Sequence, residues 1–127
     1  MAKKLKVTIK NITVNNNGEG GLNGKGEMYW RFDIDGMLLV ELPSNNPRKT
    51  HDNEVITLNE SRVVSKVGND ILEVFGTISE RDWPSKDETV NFTKQYTKAD
   101  DWGIGSHEVN RKDGKLDVTV RYEIANA

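Results

Sequence analysis

The stretch Leu116-Asp117-Val118-Thr119-Val120-Arg121-Tyr122-Glu123-Ile124 decides the fold. Apolar and polar residues alternate through it without a break. In a strand, successive side chains point to opposite faces. Leu116, Val118, Val120, Tyr122 and Ile124 therefore share one face, and Asp117, Thr119, Arg121 and Glu123 the other. One dry face and one wet face mark an antiparallel sheet packed on a core.

The same pattern recurs upstream. Met28, Trp30, Phe32 and Ile34 alternate with Tyr29, Arg31, Asp33 and Asp35. The first strand changes phase: Leu5, Val7 and Ile9 are odd-numbered, Ile12 and Val14 even. A bulge near Lys10-Asn11 returns both sets to the core. Further strands are expected over 37–42, 55–58 with 62–67, 71–79, 89–96 and 107–111. Asp35-Gly36 and Asp113-Gly114 are hairpin dipeptides, since glycine accepts the positive φ of tight primed turns. The best helical candidate is one turn within 94–101. About eight strands with one-sided patterning predict an all-β antiparallel sandwich, read as a single domain over 1–127.

If successive strands alternate in direction, the polar connections 15–26, 43–54 and 80–88 fall at one end. That end gathers Asn15, Asn17, Glu19, Asp52, Glu54, Glu80, Asp82, Asp87 and Glu88. Calcium takes about six to eight oxygens from carboxylates, amides and carbonyls, and flexible end loops supply them. Glu19, Asp82, Asp87 and Glu88 are the expected metal ligands, with Asn15, Asn17 and Asp52 as additions. The stretch Asn15-x-Asn17-x-Glu19-Gly20 imitates the first half of an EF-hand loop. The twelfth position is Gly26 instead of glutamate, and the flanks read as strands, so that motif is rejected.

An eight-stranded sandwich with acidic end loops resembles the C2-like, calcium-binding class of β-sandwich domains. The resemblance covers most of the chain in architecture and loop chemistry, and it implies calcium ligation by aspartates at one end. Its one matching pattern is Asp33-Ile34-Asp35. That pattern lies at a tight hairpin instead of in a long loop, so Asp33 and Asp35 form a separate candidate pair.

The 127 residues include 18 Lys plus Arg and 20 Asp plus Glu, for a net charge of −2. That balance lacks the basic footprint of a nucleic-acid binder. There is no cysteine, which excludes disulfides, thiolate metal sites and cysteine nucleophiles. No apolar run is long enough to span a bilayer. Lysines at the start are followed by no apolar segment, so no signal peptide is read here and a cytoplasmic setting is expected. His51 and His107 are the only histidines, and no nucleophile elbow, zinc-protease motif or phosphate loop is present. The expectation is a non-enzymatic binding module.

Two alternatives rest on other residues. Trp83, in Asp82-Trp83-Pro84, and Trp102, in Asp101-Trp102-Gly103, lie in loop-like sequence beside acids. Exposed there, they would stack on a carbohydrate or anchor a peptide. The chain could also be a structural subunit of a larger assembly that pairs through a strand edge. Lys3, Lys4, Lys6 and Lys10 discourage such pairing along the first strand.

Overall fold

The computed structural model describes residues 2–17, 25–81 and 87–127. Nine strands run in order: β1 Lys3–Asn17, β2 Lys25–Ile34, β3 Met37–Leu42, β4 Arg48–His51, β5 Glu54–Lys66, β6 Leu72–Arg81, β7 Glu88–Tyr96, β8 Gly105–Asp113 and β9 Leu116–Asn126. A short 3₁₀ segment, Lys98–Gly103, joins β7 to β8. One sheet has the order β5-β1-β9-β8. The other has β3-β2-β6-β7, with β4 also paired to β2. All pairings are antiparallel. The architecture is the expected all-β sandwich, with one strand more than about eight.

The alternation read from sequence is the alternation that packs. Leu116, Val118, Val120, Tyr122 and Ile124 are buried, as are Met28, Trp30, Phe32 and Ile34 from the other sheet. The phase change in β1 is a true bulge, because its register slips between Ile9 and Asn11 against both β5 and β9. Leu5, Val7, Ile9, Ile12 and Val14 are consequently all fully buried. Gly76 of β6 lies between its cross-strand neighbours Phe32 and Phe92, and a Cβ there would sit 2.5 Å from Phe92 and 2.7 Å from Phe32. Only glycine fits between those rings.

Four expectations need correction. The connection 43–54 is not one loop, since β4 lies within it and pairs with Lys25–Met28. The prolines Pro43 and Pro47 bracket a break, so β3 and β4 form one interrupted edge along β2. The segments 55–58 and 62–67 belong to a single strand, β5, which is kinked where Asn59 adopts φ 50°. The helical turn begins at Lys98, after β7 has run on to Tyr96. Finally, β1 is an interior strand, so its lysines guard no edge. Among the described residues no helix is long and apolar enough to cross a membrane.

Strand direction defines two ends. The β4–β5 turn, the β6–β7 connection, the β8–β9 turn, the close of β1 and the start of β2 share the first. The Asp35-Gly36 turn, the β5–β6 connection, the 3₁₀ segment and the start of β1 share the second.

Candidate functional site

The first end is tied together by carboxylates. Asn53 adopts φ 66° in the β4–β5 turn, and its backbone N–H donates to the Val14 carbonyl at 2.6 Å. That contact brings Asp52 to the close of β1, where its Oδ1 accepts the Asn17 N–H at 2.9 Å. The Asn17 side-chain amide donates to the Thr50 carbonyl at 2.9 Å. Glu54 is spent locally: it pairs with Arg48 at 2.9 Å and accepts the His51 N–H.

A second lacing joins β7 to the β8–β9 turn. The Thr89 N–H donates to Asp113 Oδ2, and the Lys115 N–H donates to Glu88 Oε2, both at 2.9 Å. Gly114 lies with φ 59° where any Cβ would collide with that Glu88 oxygen. Asp87 accepts the Tyr29 hydroxyl at 2.6 Å. Burial, aided by this acceptor, pushes the Tyr29 phenol above its ordinary pKa and keeps it a donor.

Between the two lacings the interior turns polar. Asn17, Thr50 and Glu80 are all fully buried. Glu80 continues the core-facing phase of β6 after Val74, Gly76 and Ile78, and it stands in register with Glu88 of β7. An inward carboxylate thus lies beside a second acid at the same end.

The sequence-derived candidates divide accordingly. Asp52, Asp87 and Glu88 reach this end, and Asp113 joins them. Asp113 was missed, although its Asp-Gly hairpin dipeptide and the alternating strand directions would have placed it there. Glu19, Asp82 and Trp83 lie outside the described residues. Asn17 is at the end but buried. Asn15 is drawn away, since its amide donates to Asp117 Oδ1 at 3.1 Å and Thr119 Oγ1 at 2.9 Å on the outer face of the sheet.

The separate pair Asp33 and Asp35 lies toward the opposite end. Asp33 accepts from Arg31 Nε at 2.9 Å. Asp35 holds Lys66 Nζ at 2.6 Å and accepts the Glu73 N–H at 3.0 Å. Trp102 is a correction, being only 4% exposed and part of the core. The local backbone explains this: Asp101 and Trp102 turn left-handed at φ 50° and 55°, which folds the indole inward. Among the described residues, no group of three or more His, Asp or Glu side chains is placed to hold a metal ion.

No family model and no curated protein sequence matches the chain. Solved structures do match its shape. All of this chain aligns with 18% of human GIVD cytosolic phospholipase A2, solved with methyl gamma-linolenyl fluorophosphonate and terbium chloride, at a TM-score of 0.52 and 12% identity. The C2A domain of plant Extended Synaptotagmin 1 aligns over 98% of this chain and 95% of its own, at 0.49 and 10%. A C2 domain protein from Ramazzottius varieornatus aligns over 99% of this chain and 89% of its own, at 0.48 and 13%. The sandwich resembles these C2 domains in shape. At such identities the likeness is one of fold, and this chain spans under a fifth of the phospholipase's length.

Proposed function

We propose that this chain is a non-catalytic binding module whose acidic end takes a hard divalent cation, calcium first. The observation that carries the reading is convergence. Asp52, Asp87, Glu88 and Asp113 come from three separate connections to one end, over the inward carboxylate of Glu80. The hydrogen bonds described use one oxygen each of Asp52, Glu88 and Asp113. A carboxylate offers two oxygens, so the same contacts that fix these side chains leave room for a cation. Asp82, Asp87 and Glu88 on one connection, with Glu19 and Asp52 from its neighbours, are the ligands this reading requires. It depends on Glu19 and Asp82, because the described acids alone do not form a cluster of three.

Binding to the native state alone stabilises it by mass action, about 2.7 kcal/mol at a hundredfold excess over Kd. The experiment is thermal unfolding in EDTA, then in millimolar Ca²⁺ or Mg²⁺. A calcium-selective rise in Tm, lost in Asp82→Asn, supports the site. An unchanged midpoint ends this reading. Terbium chloride, present in the phospholipase structure, is a second probe, because Trp83 beside Asp82 should sensitise its luminescence. A carbohydrate- or peptide-stacking function now rests on Trp83 alone, since Trp102 is enclosed.

A further inference from the structure

We propose that the opposite end of the sandwich binds a phosphate monoester in a lysine-lined cavity. Three segments distant in sequence meet there: the start of β1, the close of β5 with its turn, and the 3₁₀ segment. They enclose a cavity of about 390 Å³ whose lining includes Lys3, Lys66, Gly68, Lys98, Asp101 and Trp102. That volume falls within the usual range of small-molecule sites, about 300–1,000 Å³.

Lys66 is built in. It follows Arg62 and Val64 in the core-facing phase of β5, and its side chain is only 10% exposed. Its ammonium is held 2.6 Å from Asp35 Oδ2 and 2.8 Å from the Ile71 carbonyl. An ammonium has three donors, so these two contacts leave one for a ligand. Lys3 and Lys98 make no ion pair among the described residues. The lining itself holds three lysines and one carboxylate, Asp101, while Asp35 pairs with Lys66 and the nearby Asp70 and Asp100 are held on the N–H groups of Val67 and Thr97.

The wall opposite Lys66 is strained. Asp101, Trp102 and Gly103 turn left-handed in succession, at φ 50°, 55° and 69°. Aspartate and glycine enter that region readily, but a bulky tryptophan there is an outlier. Strain of this kind persists where the surroundings impose it, and it gathers at ligand sites. Here it places Trp102 under the cavity and Lys98 with Asp101 at its edge. Lysine is a compact point charge suited to phosphate oxygens, and three of them match a dianion better than a carboxylate. The remaining volume accommodates the ester's organic part.

The test uses the full chain and inorganic phosphate as the first probe, followed by amide chemical shifts in constant moderate salt. The expected result is a saturable change confined to residues 2–3, 66–68 and 98–103. The double variant Lys3→Ala/Lys98→Ala should bind about tenfold more weakly, the loss expected for charge-assisted hydrogen bonds. Lys6→Ala/Lys94→Ala, with the same charge change elsewhere, should not. Asp101→Asn should tighten binding, because it removes the opposing charge while asparagine accepts the left-handed backbone. Glycerol 3-phosphate binding more tightly than inorganic phosphate would assign a soluble ester. Binding to phosphatidate vesicles without that gain would assign a lipid headgroup. No saturable change with any of these probes, or shifts spread over all lysines alike, or an unaffected Lys3→Ala/Lys98→Ala variant, overturns the proposal.

Discussion

The two ends of this sandwich solve one problem in different ways. Each end must close a hydrophobic core where strands stop and backbone groups lose partners. The first end closes with acids: Asp52, Glu88 and Asp113 accept backbone N–H groups that the strands leave over. The second end uses acids in the same way, since Asp35, Asp70 and Asp100 accept the N–H groups of Glu73, Val67 and Thr97, and it adds a base: the Lys66 ammonium takes up the Ile71 carbonyl and Asp35. Carboxylates satisfy stray donors and an ammonium satisfies stray acceptors. What sets the second end apart is one largely buried cation, held between a carbonyl and a carboxylate.

The contrast breaks most severely at Lys66. Lys66→Ala strands the Asp35 carboxylate and the Ile71 carbonyl near the core, and should cost about 3 kcal/mol, as for one partner of a buried pair. Urea unfolding should show a lower midpoint with an unchanged m-value. The acid end distributes its role over several side chains, so Asp52→Ala should cost only about 1 kcal/mol, the price of one orphaned N–H. An equal loss at both sites would erase the distinction.

Titration sharpens it from two directions. Asp117 is partly buried, which would raise its pKa, but bonds from Asn110 and Asn15 and the charge of Lys112 outweigh burial and hold it below 3.8. Its stabilisation is complete above that ordinary value and should vanish as pH falls through the lower folded one. Asp117→Asn should therefore flatten the acid limb of a stability profile. Tyr122 behaves inversely. Burial, with the Tyr96 hydroxyl 2.6 Å away, drives its pKa far above 10. The unfolded chain releases that proton first, so stability is whole below pH 10 and falls as pH rises beyond it. Tyr122→Phe should reduce this alkaline loss. The smallest effect is expected at exposed Lys98, where Lys98→Ala should change stability by less than about 0.5 kcal/mol.

How much of this was legible in the sequence depended on whether the signal was periodic. Alternation in 116–124 and 28–34 exposed both core faces, and the slip from Ile9 to Ile12 exposed the bulge. Alternating strand direction sufficed to bring Asp52, Asp87 and Glu88 to one end. Features set by single backbone conformations stayed hidden. The left-handed turn that buries Trp102 has no periodic signature, and an indole beside Asp101 reads as a surface residue. Asn59 likewise interrupts β5 without warning, although the spacing of Val64 and Lys66 would have flagged a lysine in a core phase. The meeting of Lys3, Lys66 and Lys98 needs strand order, which no local pattern contains.

The register that pairs Leu5 with Asn126 has a consequence for how the protein is made. β1 lies between β5 and β9, so one flank of β1 stays unpaired until β9 has left the ribosome. Contacts this distant along the chain slow folding and prolong the life of open strand edges. The emerging chain therefore carries a half-dressed apolar strand until β9 is made, and its yield in a cell should respond to chaperone supply more than its final stability would suggest.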